Sequence, residues 1–394
     1  MKLEQITELE NKYYSPVFKR QNVCFIKGED VYLYDTEGKR YTDFLSGIAV
    51  CCLGYSDEGY KRALKDAIDN LMHTSNIFYI EAQAKLAKLI CTATGYDNVF
   101  FSNSGAEAVE GALKLARKYH HAAGRERTQF VTMKHSFHGR TLATLAATGQ
   151  QKFHEAYKPL LNSFMYVEPN DISALSKAVS ENTAAVIIEP IIGEGGIIPI
   201  TPEYFKAVRA ACDRCGALMI ADEIQTGMGR TGSLLASPSL GAKPDVVVLA
   251  KSLGAGMPIG AFLALGKAAC AFEPGDHGST FGGNHLACAA AYYVTDKLVS
   301  TNLLSHISEV GAYFIDRLNA LKLHCPAITD VRGKGLMLGL EFADGTSAKD
   351  IQQRLLSSGF VAATAGANVL RFLPPYVIQR SHIDSLIEVL KKLL

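Results

Sequence analysis

Two apolar runs, each ending in a single functional group, constrain this chain more than any other feature. Ala217-Leu-Met-Ile-Ala221 leads into Asp222, with Gln225 just beyond; Val246-Val-Val-Leu-Ala250 leads into Lys251 and a glycine-rich turn. Strands buried on both faces of a parallel sheet read as continuous Ala, Val, Leu and Ile rather than as alternation. Side chains at the carboxyl ends of such strands project into the crevice where ligands bind. The pair therefore predicts a doubly wound α/β sheet with an amine and a carboxylate at its ligand-binding edge.

The rest of the chain extends that pattern. Asn98-Val-Phe-Phe101, Gln129-Phe-Val-Thr-Met133, Ala184-Ala-Val-Ile-Ile188 and Ile259-Gly-Ala-Phe-Leu-Ala-Leu265 read as further strands, and helical periodicity covers Glu107 to about His120 and Pro202 to Arg214. Repeated strand–helix units argue for a mainly parallel sheet. Val31 to Asp35 and Lys39 to Asp43 alternate around Asp35-Thr-Glu-Gly38 and predict a hairpin. Ser46-Gly-Ile-Ala-Val50 follows it, then helical patterning through about Leu71 and from Ala82 to Cys91. After Gly283 the order changes: two long helices, strands at Gly335–Phe342 and Val369–Leu373 flanking a helix near Lys349–Ser357, and a closing helix. The expected organisation is an N-terminal arm and hairpin (1–45) belonging to a smaller α+β domain, a large domain (46–283), and the C-terminal part of the small domain (284–394).

With 394 residues, 48% of them hydrophobic, the chain has ample material for such a core. A formal net charge of +1 gives no electrostatic footprint for nucleic acid or an anionic membrane. No apolar stretch approaches the roughly 20 residues of a membrane span. The opening Met-Lys-Leu-Glu-Gln-Ile-Thr-Glu has acids where a signal peptide needs an apolar segment. Nine cysteines without regular spacing fit a reducing, cytoplasmic setting.

Lys251 precedes Gly254, Gly256 and Gly260, where backbone can approach a ligand closely. A desolvated lysine has a lowered pKa and attacks carbonyls. An acid such as Asp222, buried after an apolar run, needs a cationic partner. Pyridoxal phosphate supplies both requirements, since a lysine bonds to it and an acid holds its pyridine nitrogen protonated. Gln225 could then reach the ring's phenolic oxygen. Ser104-Gly105-Ala106, between a strand and a helix, is suited to a phosphate, because orphan N–H groups and the helix dipole favour anions there. The same residues also read as an ordinary cap, Ser104 with Glu107. Phe137 is a candidate for stacking on the cofactor ring, and Arg140 for bidentate carboxylate recognition. Three other motifs fail on context. Gly227-Met-Gly-Arg-Thr-Gly232 is not followed by a helix, Cys212-Asp-Arg-Cys215 has no second pair, and His135 with His138 lacks a third metal ligand.

As an ordered set, several segments resemble the class-III (ornithine/acetylornithine type) aminotransferases of fold-type I over nearly the whole length. They are S-G-I-A-V at 46–50, S-G-A-E-A at 104–108, F-H-G-R-T at 137–141 and E-P-I-I-G-E-G-G at 189–196, then A-D-E-I-Q-T-G-M-G-R-T-G at 221–232, A-K-S-L-G-A-G-M-P-I-G-A at 250–261 and H-G-S-T-F-G-G-N at 277–284. The resemblance implies that Lys251 bonds to pyridoxal 5'-phosphate and shuttles the proton between substrate and cofactor. It implies that Asp222 binds the pyridine nitrogen, Phe137 lies on the ring, and Ser104, Gly105 and Ala106 hold the phosphate. Thr280 would add a phosphate contact from the partner subunit of a homodimer, with Ser279 beside the substrate. Arg140 would take the α-carboxylate of the ω-amine or the γ-carboxylate of glutamate. Arg371 would take the α-carboxylate of glutamate, and Glu194 would neutralise that arginine when the other substrate is bound. The implied reaction is a ping-pong transamination from N-acetylornithine to 2-oxoglutarate. Ornithine, succinylornithine, succinyldiaminopimelate and 4-aminobutyrate are alternative donors, and a non-catalytic binding protein on the same fold is a remote alternative.

Overall fold

The computed structural model describes all 394 residues. At its centre lies a seven-stranded sheet in the order Asn98–Ser102, Gly260–Ala264, Val246–Leu249, Leu218–Asp222, Thr183–Ile188, Gln129–Met133, Phe164–Val167. All but Gly260–Ala264 run parallel; that strand is antiparallel to both neighbours. Leu218–Asp222, Val246–Leu249 and Thr183–Ile188 are buried at every position, as their unbroken apolar sequences require.

One face of the sheet packs on helix Gly105–Ala122, whose Ala108, Ala112, Leu115 and Ala116 meet Phe130, Ile187, Ile220 and Val248. Small residues at these positions let the helix approach closely. Helix Pro202–Cys215 covers the other face with Tyr204, Phe205, Val208 and Cys212 against Val131, Val186 and Met219. Thr201 caps it, Pro202 opens it, and Gly216 ends it at φ 69°, a left-handed position that glycine adopts without strain.

The hairpin of Tyr32–Asp35 and Arg40–Asp43 gains a third strand, Phe25–Glu29, and is joined in parallel by Phe360–Val361 from near the other terminus. A separate antiparallel sheet of Ile328–Lys334, Met337–Phe342, Val369–Phe372 and Ala363–Ala365 is covered by helices Leu303–Leu323, Ala348–Ser357 and Arg380–Leu393. The patterning read as helix directly after Val50 resolves differently, because helix starts only at Glu58, where Asp57 caps it. Before it, Ser46, Gly47, Ile48 and Ala49 form a left-handed turn, at φ 47°, 65°, 67° and 61°. For a β-branched residue such as Ile48 this backbone is strained. Surrounding bonds hold it. Asp43 accepts the N–H groups of Leu45 and Ser46, Ser46 Oγ donates to Leu373 O, and Ser252 Oγ donates to Ala49 O.

Candidate active site

Because the strands run parallel, their carboxyl ends share one edge, and sequence-distant groups meet there. Asp222 pairs in register with Val248, so Lys251 emerges just beyond on the adjacent strand. Ser104 follows Asn98–Ser102, Phe137 to Arg140 follow Gln129–Met133, and Glu189 follows Thr183–Ile188. Together they line a cavity of about 420 Å³ that also includes Gly105, Ala106, Glu194 and Gln225. Its size suits a small cofactor with a substrate beside it.

Lys251 sits at φ 46°, where the chain leaves its strand, and it lines the cavity. Burial pushes its amine below the ordinary lysine value; the Glu194 carboxylate opposes that shift and the Arg371 cation reinforces it. Asp222 is 3% exposed. Its Oδ1 accepts the Ile224 N–H at 3.1 Å, and its Oδ2 takes His138 Nδ1 at 2.7 Å. His138 is itself buried, and its Nε2 lies 3.1 Å from Thr132 Oγ1. Burial alone would lower the imidazole, yet the hydrogen bond and charge of Asp222 win and raise it. His138, dismissed in the sequence as a metal ligand, thus backs the carboxylate. Its position between Phe137 and Arg140 was the available signal.

Glu189 was also overlooked, although it ends an apolar strand just as Asp222 does. It accepts the N–H groups of Phe137 at 2.9 Å and Gly193 at 3.0 Å, and burial pushes its carboxyl up to about 7. It ties the loop of Phe137 to the loop that leads to Glu194.

At the opposite end of the cavity, Ser104 caps helix Gly105–Ala122 by accepting the Glu107 N–H, while Glu107 Oε2 accepts the N–H of Asn103. The N–H groups of Gly105 and Ala106 are left for a ligand. A Cβ on Gly105 would stand 2.8 Å from Ile224 Cδ1, and one on Gly260 would stand 2.1 Å from Ser104 O. The cradle is therefore closed to larger residues. A desolvated amine, a buried carboxylate and a cradle of free N–H groups, spread around one cavity, fit pyridoxal phosphate.

The two arginines stand in different electrostatic states. Arg371, 1% exposed, donates to Glu194 Oε1 at 2.5 Å and to Gln225 Oε1 at 3.3 Å. Although burial raises Glu194, the Arg371 charge and hydrogen bond pull its carboxyl below the ordinary range. Arg140 has no such partner; its guanidinium lies over the rings of Phe153 and Phe137. It borders both the inner cavity and an outer compartment lined by Phe18, Ile48, Gln150 and Lys152. Gln225 faces Glu194 and Arg371 at the cavity wall. Two expected residues lie apart. Thr280 is exposed, and Ser279 Oγ is held by Asn103 Nδ2 at 3.0 Å outside the cavity lining.

Residues 14–394 match the family model described as aminotransferase class-III. Among curated proteins, the acetylornithine aminotransferase of Aquifex aeolicus is 45% identical over 390 residues, covering 99% of this chain and 100% of its own. That of Clostridium acetobutylicum is 44% identical over 386 residues, covering 98% and 99%. Among solved structures, an ornithine aminotransferase from Toxoplasma gondii superposes with a TM-score of 0.95 at 31% identity, covering 100% of this chain and 94% of that one. An acetylornithine aminotransferase from Elizabethkingia anophelis superposes with a TM-score of 0.88 at 32% identity, covering 100% and 98%.

Proposed function

The chain belongs to the class-III aminotransferases, pyridoxal-phosphate enzymes, and from that membership we propose that it transfers the terminal amine of N2-acetyl-L-ornithine to 2-oxoglutarate. The first substrate leaves as N-acetyl-L-glutamate 5-semialdehyde, and the second leaves as L-glutamate. The observation that carries this reading is that one cavity is lined both by an unpartnered Arg140 and by Glu194, whose carboxylate neutralises the buried Arg371 behind it.

Pyridoxal phosphate, when bound, supplies the electron sink that acidifies the carbon bearing the transferred amine. Lys251 is the group at hand to hold the cofactor and to carry that carbon's proton, since burial lowers its pKa and so favours the uncharged, basic form. Asp222, fixed by His138 and Ile224, would hold the pyridine nitrogen with its carboxylate. Gly105, Ala106 and Ser104 would hold the phosphate, Phe137 would wall the ring, and Gln225 would serve the ring's phenolic oxygen.

The arginines sort the substrates. Acetylornithine enters amine first, so its only carboxylate is distal and falls to Arg140, while Glu194 keeps Arg371 compensated. Glutamate and 2-oxoglutarate carry two carboxylates: the distal one takes Arg140, and the α-carboxylate displaces Glu194 from Arg371. No buried charge is left alone in either half-reaction.

The reading extends to a cytoplasmic homodimer, in which Thr280 of each chain faces the partner's phosphate site and Ser279 stands near its substrate. Support comes from the exposed apolar loop of Ile77, Phe78 and Tyr79 together with Phe281, a surface suited to a second copy. Nine unpaired thiols fit a reducing interior.

A substrate panel on the holoenzyme tests the proposal. Acetylornithine should bleach the cofactor's visible band faster than ornithine, succinylornithine, succinyldiaminopimelate or 4-aminobutyrate, and only 2-oxoglutarate should restore it. Preferred turnover of ornithine would reassign the substrate.

A further inference from the structure

Arg140 must present its N–H edge to a carboxylate, yet no acid or carbonyl of the chain orients it. What it touches is aromatic. Its Cζ lies 4.0 Å from the centroid of Phe153 and 5.4 Å from that of Phe137. At 4.0 Å the guanidinium must sit over the Phe153 face, because approach in the ring plane would clash with the ring carbons. This contact is electrostatic attraction to the ring's negative face, and it consumes no N–H donor. An acidic partner would compete with every incoming carboxylate, as Glu194 does at Arg371.

Phe153 is also held in place relative to the arginine. It ends a short turn, Gln151–Phe153, strapped to the loop that carries Phe137 and Arg140. His135 N donates to Gly149 O at 2.8 Å, Gly149 N to Ser136 Oγ at 3.0 Å, and Gln150 Nε2 to Ser136 O at 3.1 Å. His138 N donates to Thr148 Oγ1 at 2.9 Å, and His154 Nε2 closes the far side 2.8 Å from Thr148 O.

We propose that Phe153 is the positioning residue for Arg140: its ring face holds the guanidinium so that the hydrogen-bonding edge stays free, which sets the site's affinity for the distal carboxylate of both substrates. The inference rests on the assignment of Arg140 as carboxylate receptor. It predicts an effect on binding rather than on chemistry.

The test compares Phe153→Leu and Phe153→Tyr with the unaltered holoenzyme. In Phe153→Leu, the KM for acetylornithine and the calorimetric Kd for glutarate, a non-reacting dicarboxylate, should rise about three- to tenfold, with kcat within about twofold. Phe153→Tyr, which keeps the ring face, should match the unaltered protein. The single-turnover rate with n-butylamine, which has no carboxylate, should be the same in all three. Unchanged glutarate affinity in Phe153→Leu overturns the proposal, as does an equal loss with n-butylamine, which would mark general distortion. If the unaltered enzyme rejects acetylornithine, the substrate assignment fails, while the glutarate and n-butylamine measurements still decide the role of Phe153.

Discussion

Glu194 grips Arg371 through both carboxylate oxygens, at 2.5 and 3.4 Å, and Glu194 lines the same cavity as Lys251. Glu194 belongs to the loop after Thr183–Ile188 of the central sheet, and Arg371 to a strand of the C-terminal sheet. The pair therefore bridges two sheets.

Glu194→Ala should impair the two half-reactions unequally. Removing one member of a buried pair strands the other charge, at a cost of ~3 kcal/mol. In the variant a glutamate α-carboxylate still compensates Arg371, but acetylornithine does not. Single-turnover rates should fall about tenfold or more for acetylornithine and by less than about threefold for glutamate. Equal losses would show that the pair has no sorting role.

His138→Asn should weaken the support of Asp222. The variant loses a partner at 2.7 Å that orients the carboxylate. We expect kcat to fall about tenfold or more, with a smaller change in KM and a lower affinity for the cofactor, measured by spectral titration. Unaltered kcat and cofactor affinity would leave His138 a packing residue.

Lys251→Met bears on the cost of burying an amine. Because burial lowers this lysine's folded-state pKa, the unfolded chain binds more protons than the folded one between that lowered value and the ordinary one. Stability of the cofactor-free protein then rises with pH up to the ordinary lysine value of 10.5, and the contribution is lost as pH falls below it. The variant should be more stable than the unaltered apoprotein in denaturant at about pH 7, with the gap narrowing as pH rises toward the ordinary lysine value of 10.5. A gap that widens with pH would contradict the assigned direction. The variant should have no transaminase activity.

Gly47→Ala addresses the left-handed turn. A Cβ there meets nothing closer than 3.7 Å, so the penalty is conformational alone. It should cost about 1 kcal/mol in chemical denaturation. Since the turn displays Ile48 to the outer compartment, a rise in KM for the donor should accompany the loss.

Much of this was legible in the linear pattern. Strands ending in Asp222 and Lys251 were visible because double-sided burial demands unbroken apolar residues, and the cap at Ser104 because its side chain answers an orphan N–H next to it in sequence. Glu189 was equally legible by the rule that found Asp222, and was passed over. Phe25–Glu29 escaped notice as a strand because Lys27 and Glu29 face water at a sheet edge. The left-handed turn at Ser46–Ala49 could not be read, because Ile48 disfavours that backbone. It persists through hydrogen bonds to Leu373 and Ser252, both far away in the chain.

The sequence by itself determined the alternation of strands and helices, the core and which residue ends each strand, since these follow from burial and short-range hydrogen bonding. Tertiary structure decided the partnerships: His138 behind Asp222, Glu194 against Arg371, Phe153 against Arg140. Each joins groups brought close by parallel strand order or by sheet-to-sheet packing. Chain spacing carries no trace of such neighbours, because side-chain contact energies depend on distance in space alone.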